Sequence, residues 1–150
     1  MEDNKNINIA LYVRVAYKDT TKNKYYINLQ KNVLIEYVKE NYSKCKYKFY
    51  IDNGYSGLDY ERPFLKKMIK DIHHNKIDII ICKDINRIGR EPITVLYSIV
   101  RKSGIKFISI DDNIIFQSHI FRELVNMLSK ILIKDKKQCL EEAIKNKVKN

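Results

Sequence analysis

Apolar positions along the chain follow two rhythms. Dense runs at Ile9 to Val15, Tyr47 to Ile51, Ile77 to Cys82 and Lys106 to Ile110 are too short for helices and are bounded by polar residues, so they predict strands. The uninterrupted Ile79 to Cys82 suits a strand covered on both faces. Between the runs, apolar residues recur at helical spacing. Leu29, Val33, Leu34, Tyr37 and Val38 mark a helix within Tyr26 to Tyr42, with Gln30, Glu36, Lys39 and Glu40 elsewhere around it. Phe64, Leu65, Met68, Ile69 and Ile72 mark a second, opened by Arg62-Pro63 and running to about His74. Ile93, Leu96, Tyr97, Ile99 and Val100 mark a third, opened by Pro92 and stopped near Gly104. Ile114 to Phe116 predicts a short edge strand. From Ser118 to about Val148 the pattern is helical again, with Ile120, Leu124, Met127, Leu128, Ile131 and Leu132 on its apolar side. Some thirty residues would extend about 45 Å, longer than one small core. The first part is expected to pack, and the weaker stripe beyond Lys134 to Lys137 to need a partner.

This alternation predicts an α/β fold, a doubly wound, mainly parallel sheet of four to five strands over residues 1–117, followed by a long C-terminal helix over 118–150. In open α/β sheets the site lies beyond the carboxyl ends of the strands, where strand order reverses. Arg14 ends the first strand, and Asp52 and Ser56 follow the second, in a loop with Gly54 and Gly57. Lys83, Asp84, Arg87 and Arg90 follow the third, with Gly89 between the arginines. These can converge on one sheet edge as an anion site.

Composition narrows the partner. The 150 residues are 45% hydrophobic and 31% charged, as in a globular domain. No run approaches the ~20 apolar residues of a membrane span and the opening residues lack the character of a signal peptide, so a cytoplasmic protein with no membrane partner is expected. Cys45, Cys82 and Cys139 are odd in number and widely spaced, and neighbouring His73 and His74 have no partners at ligand spacing, so neither a metal nor a disulfide framework is expected. The net charge of +11 favours a polyanion. Of 29 basic residues only six are arginine, and four of these, Arg14, Arg62, Arg87 and Arg90, lie in or beside polar stretches following strands. Lysine would serve solubility, whereas the planar guanidinium holds phosphate oxygens in pairs.

Tyr12-Val13-Arg14-Val15, Gln30, Tyr50-Ile51-Asp52-Asn53-Gly54-Tyr55-Ser56-Gly57, Arg62-Pro63 and Lys83-Asp84-Ile85-Asn86-Arg87-Ile88-Gly89-Arg90, in this order and spacing, resemble the catalytic domain of serine site-specific recombinases, the resolvase and invertase family, especially its large members. The resemblance covers roughly residues 7 to 130. It implies a resolvase-like fold and double-stranded DNA as substrate, with no cofactor, metal or small-molecule substrate. It further implies a serine that attacks the scissile phosphate and forms a phosphoserine linkage before strand exchange. By the same resemblance Arg14, Arg87 and Arg90 would hold the phosphate and stabilise its transition state. Tyr12, Gln30, Asp52 and Arg62 would support that cluster, Asn86 stands where many small members carry Asp, and the long helix corresponds to a dimerisation helix, implying a homodimer or tetramer.

Two departures shape the expectation. The family's nucleophilic serine follows the Tyr-x-Arg-x strand end, and here that position is Ala16, whose methyl cannot attack phosphorus. Tyr17, Thr20, Thr21 and Ser56 lack the matching position. The residues to Asn150 include no further domain to read a DNA site, so specific recognition by them alone is not expected. The reading is a recombinase catalytic domain that is cleavage-inactive as written; the alternative is a non-catalytic DNA-binding and dimerisation module regulating an active recombinase. A phosphoacceptor domain would also gather carboxylates and a lysine at strand ends, but would place an acidic residue where Arg14 stands.

Overall fold

The computed structural model describes residues 6–18, 20–59, 61–90 and 104–117, together with Val95, Ile99, Glu123 and Lys130. Alternation along the first strand, β1 (Ile7–Val15), sets the layering. Its Ile9, Leu11 and Val13 face one core with Leu34 and Val38 of helix α1 (Thr20–Asn41). Its Ala10 and Tyr12 face the other core with Leu65, Met68 and Ile72 of helix α2 (Pro63–His73). A strand buried on both sides is one that helices cover on both sides. The remaining strands are β2 (Cys45–Asn53), β3 (Ile79–Cys82), β4 (Lys106–Ser109) and β5 (Ile114–Gln117). Their order is β2-β1-β3-β4-β5, parallel except for the antiparallel β4–β5 pair. The expected doubly wound α/β sheet is present, with its edge strand.

The chain moves from β1 outward to β2, then returns past β1 to β3, so strand order reverses between β1 and β3. Their carboxyl ends, Val15 and Cys82, therefore flank the crevice where such sheets bind ligands. A 3₁₀ turn at Ile85–Arg87 follows β3 directly.

Several expectations are corrected. Helix α1 begins at Thr20, not Tyr26, because its first turns carry no apolar stripe and are anchored instead by a polar residue, Asn23, which is buried. Gln30, expected away from the apolar side, is also buried, because it bonds the backbone of Arg14. Leu29 is 42% exposed and Phe64 41% exposed, so neither belongs to its helix's buried stripe. Of the third expected helix only Val95 and Ile99 are described; both are helical and buried, and Val95 was not in the expected stripe. The long helix over 118–150 lies outside the described residues apart from Glu123 and Lys130.

Candidate functional site

Continuing the alternation of β1, Arg14 follows Ala10 and Tyr12 toward the α2 side, where it meets Arg62 and the loop after β3. Arg14 is only 7% exposed. Its Nε donates to the Arg87 carbonyl at 3.0 Å, its Nη1 to Tyr55 O at 3.0 Å and its Nη2 to Asn86 O at 2.8 Å. Arg87 answers: its Nη1 donates to Arg14 O at 3.2 Å and its Nε to Asp84 Oδ2 at 2.9 Å. Each arginine thus ties down the other's backbone. A guanidinium has five N–H donors, and among the described residues these bonds engage three on Arg14 and two on Arg87. Burial, then the neighbouring Arg62 and Arg87 charges, lower the pKa of Arg14. A cation pressed in this way is stabilised by an incoming anion.

Beneath this pair lies a fully buried relay. Asp52, at the end of β2, accepts from the amides of Phe64 and Leu65 at 3.0 and 2.9 Å, so a carboxylate from a distant strand caps the start of α2. It also accepts from the Tyr12 hydroxyl at 2.7 Å, and that oxygen accepts from Arg62 Nη1 at 2.9 Å. Burial pushes the Tyr12 phenol well up, against the pull of Arg62 and with help from Asp52, so it remains a donor. Arg62 donates further to Asp59 O at 2.7 Å, Arg87 O at 3.1 Å and Ile88 O. It is wholly buried, with four of its five donors on the protein, so it holds the loop and does not face a ligand. Asp52 orients an arginine only through Tyr12.

The two glycine loops cross at this point. Arg90 N donates to Gly57 O at 3.1 Å, and a Cβ at Gly57 would lie 3.1 Å from Arg14 Nη2 and 3.2 Å from both Arg90 Cγ and its amide. Only glycine lets the backbones approach so closely. Arg90 and Asn86 are exposed, Asn86 contributing its carbonyl to Arg14. Gln30 clasps the backbone of Arg14, donating to its carbonyl at 3.1 Å and accepting from its amide at 3.4 Å.

Asp84, which the sequence places in the anion loop without a role of its own, braces Arg87. Two further supports, Asp112 and Asn23, are absent from the sequence reading of the site. Asp112 accepts from the Ile85 amide at 2.6 Å and the Ser109 hydroxyl at 2.5 Å, clamping the loop after β3; the Ser109 bond, then the Ile85 amide, hold its carboxyl below the usual value. Asn23 donates to Tyr17 O and, at 2.6 Å, to Asn53 Oδ1, fixing the loop after β1. Asp112 and Asn23 are signalled only by being polar residues beside a strand end and a helix start.

Above the network is an open cleft of ≈ 270 Å³, lined by Arg14, Val15, Ala16, Tyr17, Tyr26, Leu29, Gln30 and Arg87. Ala16 is exposed on it, one residue past β1. The cleft offers cationic N–H donors on one side and the position-16 side chain beside them, a geometry suited to a phosphate group. Among the described residues no helix is long and apolar enough to cross a membrane.

Comparison with known proteins matches residues 9–149 to the family described as Resolvase, N terminal domain. A 73-residue stretch is 38% identical to "Uncharacterized immunity region protein 3" of Bacillus phage phi105, covering 48% of this chain and 87% of that protein. Among solved structures, the N-terminal catalytic domain of TP901-1 integrase superposes with a TM-score of 0.68 at 24% identity, over 87% of this chain and 97% of that one. A resolvase family site-specific recombinase from Streptococcus pneumoniae gives 0.63 at 19% identity, over 96% and 99%. The C-terminal catalytic domain of ISC1926 TnpA, an IS607-like serine recombinase, gives 0.60 at 21%, over 96% and 100%. These likenesses show a shared fold.

Proposed function

The chain belongs to the resolvase N-terminal domain family, and from that membership together with its cleft we propose that it is a site-specific DNA recombinase catalytic domain that engages a phosphate of double-stranded DNA but does not cut it. It has the fold of serine recombinase catalytic domains. The observation that carries the reading is the cleft at the β1/β3 switch point, where donors of Arg14 and Arg87 face the same space as Ala16. Arg14 and Arg87 hold the phosphate oxygens, and Arg90, which does not line the cleft but is exposed beside the Gly57 loop, adds positive charge nearby. Tyr12, Gln30, Asp52 and Arg62 act through the backbone they fix, and Asn86 through its carbonyl. Preplaced cations of this kind stabilise the extra charge of a pentacoordinate phosphorus.

Cleavage by a serine at position 16 would form an Oγ–P bond as a P–O ester bond to deoxyribose breaks, the hydroxyl losing its proton and the departing sugar oxygen gaining one. A methyl offers neither lone pair nor proton. The second reading, a module that regulates an active recombinase by joining it on DNA, is favoured by the same alanine. In both readings the 1–117 domain works with residues 118–150, where the sequence predicts a long helix, as its dimerisation element.

The test is Ala16→Ser, joined to a DNA-binding domain of known site and incubated with that duplex. A covalent protein–DNA adduct that needs both the serine and Arg87 is expected. A folded, DNA-bound Ala16→Ser protein giving no adduct would overturn the recombinase reading and leave the regulatory one. Binding of the unaltered chain to duplex should weaken as salt rises, by about 0.9 in log K per log unit of salt for each phosphate neutralised; salt-insensitive binding would overturn both.

A further inference from the structure

The cleft has a second wall that phosphate binding does not use. Tyr17 and Tyr26 are stacked, ring centroids 5.7 Å apart and planes 28° from parallel, and Tyr25 meets Tyr26 edge-on at 5.5 Å. All three are solvent-facing, Tyr17 at 59%, Tyr25 at 62% and Tyr26 at 41% exposed, with Leu29 beside them. Such an apolar cluster in water calls for an occupant. Lys18, Lys22 and Lys24 are interleaved with the tyrosines and exposed. Lysine is depleted in the cores of protein interfaces but common in grooves that track a nucleic acid backbone. The wall is also preset, since Asn23 holds the Tyr17 carbonyl.

From the tyrosine stack and the arginine donors sharing one cleft, we propose that the cleft binds a whole nucleotide, its phosphate on Arg14 and Arg87 and its unstacked base on Tyr17 and Tyr26, so that DNA unpaired at this point is preferred over intact duplex. This rests on the phosphate reading above and adds the base. Stacking on aromatic side chains is tolerant of sequence, because every base has a π face. The wall therefore gives a preference for strand state and not for sequence.

The experiment is fluorescence anisotropy on the full chain with three labelled probes of equal length: a single-stranded oligodeoxythymidine, the same strand with abasic sites, and a fully paired duplex. The intact single strand should bind about tenfold more tightly than the abasic strand and the duplex. That preference should vanish in Tyr17→Ala and Tyr26→Ala and survive in Tyr26→Phe, which keeps the ring; circular dichroism checks that each variant is folded. If abasic and intact strands bind equally, the base site is refuted while the phosphate site stands. If none of the probes binds, both fall. If Tyr26→Ala leaves every affinity unchanged but lowers the mass in sedimentation, the tyrosines form a protein interface and the proposal is overturned.

Discussion

Replacing Arg62 by methionine keeps the length and apolar stem of the side chain while removing the buried cation. The guanidinium makes four hydrogen bonds, to Asp59 O, Tyr12 OH, Arg87 O and Ile88 O. Hydrogen bonds to charged groups contribute about 1.5–3 kcal/mol each, but the four do not simply add. The Tyr12 hydroxyl keeps Asp52, and Arg87 O keeps Arg14, so neither is orphaned. Ile88 belongs to a residue that is wholly buried, and its carbonyl loses its bond to Arg62, at about 1–3 kcal/mol. Asp52 keeps its bonds to the start of α2 but loses the cation that compensated its buried charge, a further loss of comparable size. A total near 3–4 kcal/mol is expected, read as a lower urea midpoint with unchanged slope, and as a melting temperature lower by about 10 °C. Arg90→Ala, at an exposed position, should stay within about 0.5 kcal/mol of the parent while weakening DNA binding. A loss below about 1 kcal/mol for Arg62→Met, or weakened DNA binding at full stability, would refute the assignment of Arg62 to holding the loop.

Gly57→Ala should cost about 1–3 kcal/mol in denaturant melts and weaken DNA binding, because the new methyl meets Arg14 Nη2 and the Arg90 backbone at 3.1–3.2 Å; a neutral effect on both would mean the loops part freely. Arg87→Lys keeps the charge but cannot bond Asp84, the Arg14 carbonyl and a phosphate together, so duplex affinity should fall several-fold at fixed salt, and equal affinity would count against paired recognition. The Asp112 carboxyl is lowered in the folded protein, so its stabilising contribution is complete above the unfolded value of about 3.9 and lost as pH falls through the lowered folded value. Asp112→Asn should therefore be less stable than the parent at neutral pH, with the gap closing on acidification below about pH 4; a gap constant down to pH 2 would contradict the clamp.

The fold was legible wherever burial is apolar and two-sided. Ile79 to Cys82 could hardly be anything but a central strand, and β1, β2 and β4 were found to within two residues at each end. Legibility failed where polar side chains do the burying. Helix α1 starts six residues early because Asn23 and Gln30 anchor it to loops and strand ends, and neither contributes to an apolar period. Leu29 and Phe64 fit the helical spacing but lie on the solvent side, since spacing marks a stripe without fixing its edges. At the site, residue types and spacing gather four arginines beside strand ends, while the separation of a supporting Arg62 from the other three comes only from the family resemblance. That Arg62 is wholly enclosed while Arg90 is exposed depends on the crossing of the Gly57 and Gly89 loops, a long-range contact that no local pattern encodes.

The reciprocal bonds between Arg14 and Arg87, with Arg62 beneath them, have an evolutionary corollary. The same guanidiniums that face the cleft also tie the ends of β1 and β3 together, so the motif is answerable to folding as well as to chemistry. A lineage released from the need to break DNA could discard a hydroxyl at position 16 at no structural cost, since Ala16 sits exposed on the rim. It could not discard Arg14 or Arg62 so easily. On the proposed reading, arginines of this signature would outlive the reaction, and position 16, not the arginine pattern, would tell descendants that cut from descendants that only hold.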